Sequence, residues 1–214
     1  MDEDIAIINK ETRNEKIKNF FIKNKKILII LLSIIIFLIF GYFVYKEIDQ
    51  SNKSKLAEKY NTSVINYISG NKINVENEMV TIIESKNKTY SPLALYFLID
   101  NNVINSSNKI NRLFDILINE TKLDKEIKNL IIYKKALYNA DFETENNLLN
   151  ILNPLINSES VWKPHGLYLL AEYFLSKNEK QKSKEFFEKI ISLENSNPNI
   201  KLEAQKRIRK DFSE

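Results

Sequence analysis

PHGLYLLAEYFLSKNEKQKSKEFFEKIISLENSNP, Pro164 to Pro198, holds two apolar runs at helical spacing. Leu167, Leu170, Ala171 and Phe174 recur at three- and four-residue steps, and Ser183, Phe187 and Ile190 do the same after a break at Ser176–Asn178. Each run gives a helix one apolar face, and so short a break folds the second helix back onto the first. Pro164 suits a first helical turn, where its missing N–H is no loss.

Working outward, the same spacing continues almost without interruption from residue 50. It predicts helices at 52–69, 72–86, 92–104, 109–120, 123–138, 143–152, 163–177, 179–194 and 198–212. Most connections are short. The exception is the stretch opened by Asn153-Pro154. Ser91-Pro92 and Asn197-Pro198 each place a capping residue before a proline, a helix-start signal. Three glycines and four prolines in 214 residues are too few for the frequent turns of a sandwich or barrel. The fold class is all-α, with residues 52–214 as one helical domain.

Ahead of that domain stands KNKKILIILLSIIIFLIFGYFVYKE, Lys23 to Glu47. Its centre, 27–45, carries no charge and a single aliphatic hydroxyl, Ser33. As a helix it would run roughly 28 Å, close to the hydrocarbon thickness of a bilayer. A cleaved signal would be shorter and end in small residues, whereas this run ends with Tyr42 and Tyr45 at the expected interfacial depth. A soluble core helix would keep a polar side. The reading is a retained single-span anchor, followed by a juxtamembrane linker at 46–51. Residues 12–26 hold six Lys/Arg and residues 46–60 hold four, which favours a cytoplasmic 1–26 and an outer helical domain. Within 1–26, Asp4 to Asn24 reads as an amphipathic helix with Ile5, Ile8, Ile17, Phe20 and Phe21 as its apolar positions. It would lie on the inner membrane surface or dock a partner.

Reactive constellations are scarce. The only histidine, His165, stands between Pro164 and Gly166 at a helix start, and there is no cysteine. That removes Cys-ligated zinc, multi-histidine metal sites and a Cys–His pair. Three scattered glycines (Gly41, Gly70, Gly166) make no phosphate loop. The carboxylates fall on polar helix faces among lysines. A net charge of +4, spread along the chain, leaves no nucleic-acid footprint. No enzyme activity, cofactor or small-molecule substrate is expected.

The Pro164–Pro198 unit resembles the tetratricopeptide repeat. Ala171 and Ser183 stand at the small-residue contacts, and Asn178 stands where glycine is usual, a position Asn can fill in the left-handed conformation. Leu167 replaces the usual Trp, Ile190 replaces a usual Ala, and Pro198 arrives about three residues late. A shift of 33 brings Leu167 onto Ile200, Ala171 onto Ala204 and Leu175 onto Ile208. A shift of −35 brings Ala171 onto Ala136 and Tyr168 onto Tyr133.

EKIKNFFIKNKK, one span, and a helical domain ending in LYLLAEYFLSKNEKQKSKEFFEK together resemble the ancillary SecYEG translocon subunits of the bacterial inner membrane. The resemblance implies a periplasmic tetratricopeptide-like domain that binds proteins, either the translocon or periplasmic chaperones and clients. In that register His165, Tyr168, Glu172 and Leu175 line a partner-binding groove, with Leu130, Tyr133 and Leu137 one repeat earlier. Tyr133 and Tyr168 either form its floor or pack between helices. Trp162 reads as a packing residue. The other class of function is a self-associating protein that organises an envelope complex.

Overall fold

The computed structural model describes residues 15–16, 18–194 and 197–212, and their regular structure is helical throughout. The helices are α1 (Lys25–Ile68), α2 (Val75–Glu84), α3 (Tyr90–Asp100), α4 (Ser107–Asp115) with a π-helical turn Ile116–Glu120, α5 (Lys125–Asn139), α6 (Glu145–Ile156), α7 (Lys163–Ser176), α8 (Lys180–Ser192) and α9 (Pro198–Asp211). The chain divides into two compact units, residues 1–55 and 56–214, and α1 runs through the boundary.

In the first unit, α1 is the one helix among the described residues long and apolar enough to cross a bilayer, and none of its apolar window is buried. Residues 46–51, expected as a linker, are helical instead. No Gly or Pro falls between Tyr42 and Ser69, and Lys53 pairs with Asp49 one turn back, so nothing breaks the helix there. It ends only at Gly70, whose φ of 88° is the left-handed conformation glycine tolerates best. The expected N-terminal amphipathic helix lies mostly outside the described residues; within it, Phe20 and Phe21 are helical and exposed.

In the second unit, three apolar clusters follow one another along the chain. The first joins α2, α3, α4 and Ile131 of α5, with Leu56, Tyr60, Val64 and Tyr67 of α1 packed against it. The second joins α5, α6 and α7 around Leu152, Leu155, Leu170 and Phe174. The third joins α7, α8 and α9 around Ala171, Phe187, Ile190 and Ala204. Helices adjacent in sequence pack on each other, most extensively α7 with α8 and α2 with α3. Alternate helices also touch, α2 with α4 and then α5 with α7 and α7 with α9.

The two tightest pairs use the same device. Ser183 of α8 donates its hydroxyl to the Ala171 carbonyl of α7 at 2.8 Å, and Ser91 of α3 donates to the Ile82 carbonyl of α2 at 2.7 Å. All four residues are fully buried. A serine is small enough for the helices to close, and its hydroxyl finds an acceptor without a water. The break between α7 and α8 holds Asn178 at φ 61°. Gly166 provides a third close contact: a Cβ there would lie 3.1 Å from a Leu155 methyl and 3.3 Å from one of Leu152.

Three boundaries differ from expectation. Helix α6 continues through Pro154 to Ile156, because Leu155 is buried in the second cluster and Pro154 is exposed, so its missing hydrogen bond falls on the wet side. Ser91 is not a cap: α3 starts at Tyr90, and Asn87 Oδ1 accepts from the Thr89 and Tyr90 amides at 2.9 and 3.0 Å. The helix expected at 109–120 widens into a π turn after Asp115, where the Thr121 hydroxyl donates to the Ile116 carbonyl at 3.0 Å.

Replacing Ser183 tests the packing device. Ser183→Ala should lower the stability of the full chain by about 1 kcal/mol, the net value of one hydrogen bond. Ser183→Leu should cost roughly 1–3 kcal/mol or more by forcing α7 and α8 apart. Urea unfolding of both variants in detergent micelles checks the order; equal midpoints would remove the close-contact role.

Candidate interaction surface

Residues Leu130, Tyr133 and Leu137 lie on one side of α5, at three- and four-residue steps. His165, Tyr168, Glu172 and Leu175 lie on α7 at the same steps. Since α5 and α7 touch, the two rows are neighbours. Each member is partly exposed except Leu137, which is exposed at 46 %.

The N-terminal end of this surface is an aromatic cluster. The Tyr133 and Trp162 rings stack at 6.1 Å and 18°, and His165 meets both, at 5.8 Å from Tyr133 and 5.1 Å from Trp162. Trp162 is held by the loop that precedes α7. Glu126, in the first turn of α5, accepts from the Ser160 hydroxyl at 2.7 Å and from the Val161 amide at 3.3 Å. The Ser160 hydroxyl oxygen in turn accepts from the Trp162 amide at 3.1 Å. Burial pushes the Tyr133 phenol up. Burial also pushes the His165 imidazole below its ordinary pKa; a backbone interaction with Val161 offsets this in part, although Nδ1 finds no partner at full hydrogen-bond geometry.

The other end is closed by α9. Arg207 makes two parallel hydrogen bonds of 2.7 Å to the Glu172 carboxylate and pairs with Asp211 at 2.7 Å. Tyr168 leans edge-on against Phe187 of α8 at 5.4 Å, and burial, then the Glu172 charge, push its phenol up. Thus Glu172 is taken up inside the chain, while Tyr133 and Tyr168 each pack on a different neighbour. What stays open is Leu137, the partly exposed Leu130 and Leu175, and the outer edges of the rings.

Neither Trp162 as the centre of the aromatic cluster nor Arg207 stood out among the candidate residues. A signal for them was present in chain separation. Glu76–Lys109, Tyr67–Asn101, Glu126–Ser160, Glu172–Arg207 and Glu145–Lys182 are polar ties between residues 33, 34, 34, 35 and 37 apart. Each equals about one helical pair, so partners could be sought one pair downstream. Among the described residues no group of His, Cys, Asp and Glu is arranged to hold a metal ion. No family model matches the chain, and neither does any curated protein or solved structure.

The histidine makes a pH test available. With its folded pKa lowered, the unfolded chain takes up the proton first, so this contribution is complete above the unfolded value near 6.5 and is lost as pH falls below it. Between pH 7.5 and 5.5 the wild-type chain should lose stability relative to His165→Phe, which keeps the ring contacts but does not titrate. Parallel pH profiles would show that His165 is not destabilised by protonation.

Proposed function

We propose that the protein is a non-catalytic scaffold, held at a bilayer by residues 27–45, whose helical pairs bind other proteins. The observation that carries this reading is the set of polar ties one helical pair apart, together with the alternate-helix contacts of α5, α7 and α9. Both fit stacked hairpins of the tetratricopeptide kind, which use the row of first helices as a peptide-binding surface. The register is less regular before Lys125, where α4 ends in a π turn and α5 begins a new series.

In this reading residues 1–26 face the cytoplasm and the helical domain faces the periplasm. The resemblance to ancillary translocon subunits supports an adaptor at the protein-export site, with the translocon, periplasmic chaperones or clients as partners. Tethering would raise the local concentration of a weak binding surface near emerging chains.

Two measurements test it. The chain has no native cysteine, so Ser51→Cys gives one unique label site on an exposed position. It should react with an impermeant maleimide added outside spheroplasts; reaction only after lysis would reverse the topology. A photo-crosslinker at Leu137 should give adducts with export machinery or exported chains. Adducts only at twice the chain mass would replace the adaptor with the self-associating envelope protein.

A further inference from the structure

The tether reading has a consequence at the N-terminal side of α1, on which this inference rests. Between Lys16 and Lys46 the sequence holds no Asp or Glu. Lys16, Lys18, Lys23, Lys25 and Lys26 therefore stand together with no acidic residue among them, and all are exposed. Five lysines stand between Glu15 and the span on this side, whereas at the opposite end a single lysine, Lys46, stands between the span and Glu47. The excess positive charge is local to one side.

That charge sits at the head of a groove. Helical hydrogen bonding continues through the turn at Asn24, from the Asn24 amide to the Phe20 carbonyl at 2.9 Å and from the Leu28 amide to the Asn24 carbonyl at 3.0 Å. One face is therefore maintained across it. Along that face an open groove of 410 Å³ is lined by Phe21, Ile22, Lys25, Leu28, Ile29 and Leu32. Lys25 is its only charged residue, and Lys18 lies seven residues earlier, about two turns up the same side. Leu28, Ile29 and Leu32 fall within the 27–45 span, roughly 6 Å of its depth, whereas Phe21, Ile22 and Lys25 stand above it.

We infer that this face binds an anionic phospholipid: its phosphate meets Lys18 and Lys25, and the start of one acyl chain lies along Leu28, Ile29 and Leu32. The charge chooses the occupant. A zwitterionic lipid fits the apolar part equally well but presents no net charge to the lysines, and a second copy of this helix would bring five more cations to the same level. Attraction of a basic side chain to an anionic membrane surface corresponds to about fivefold in association for each lysine.

The test uses the full chain reconstituted in phosphatidylcholine vesicles containing a minor fraction of phosphatidylglycerol. Electron spin resonance then compares the immobilised fraction of spin-labelled phosphatidylglycerol with that of labelled phosphatidylcholine. The wild-type chain should favour the anionic label several-fold, Lys18→Gln/Lys25→Gln should fall to near parity, and Lys46→Gln should keep the wild-type preference. Parity in the wild type, or an unchanged preference in the double variant, overturns the proposal. Alkaline carbonate extraction of the same vesicles separates the two levels. A chain released by carbonate overturns the tether and this site with it, whereas a retained chain at parity overturns the lipid site alone.

Discussion

The close approach of paired helices through a buried serine is the contact on which the helical domain depends. Ser183 on the Ala171 carbonyl and Ser91 on the Ile82 carbonyl occur at the two most extensive helix pairs. In each case the side chain is small enough to admit the neighbouring backbone and carries a donor that needs an acceptor. Once α7 and α8 are fixed at that distance, Phe187 and Ile190 are carried into the third cluster and Phe174 into the second. The surface row on α7 is set by the same placement. Tyr168 faces Phe187, Glu172 faces Arg207, and His165 turns to the ring of Trp162.

Much of this was legible because helical periodicity is a local property. Leu170, Ala171, Phe174, Phe187 and Ile190, picked from spacing alone, are all buried, and Asn178 adopts the left-handed conformation its position requires. The uncharged run at 27–45 announces an exposed apolar helix directly. Boundaries were harder, because they depend on what each terminal residue meets in space. Pro154 looks like a stop, yet the burial of Leu155 just beyond it extends the helix. Ser91 looks like a cap, yet its hydroxyl is used between helices and Asn87 does the capping.

The candidate surface was legible in outline and not in detail. Spacing puts Tyr133 and Tyr168 on neighbouring rows, but cannot say that one ring stacks on Trp162 and the other leans on Phe187. Nor does it reveal that Glu172 is ion-paired, since Arg207 lies 35 residues away on a different helix. These partners are chosen by how successive pairs stack, a property of the assembled domain. Of the candidate residues Leu137, an aliphatic side chain, remains the most exposed.

The ties that join one helical pair to the next also bear on how the domain is made. Their ends are 33–37 residues apart, so the chain closes a series of similar, modest loops and none of these ties encloses the whole domain. Loop-closure entropy grows with the logarithm of length, and folding rates rise as contacts become more local. Such a chain can acquire order through contacts between helices that are near one another in sequence.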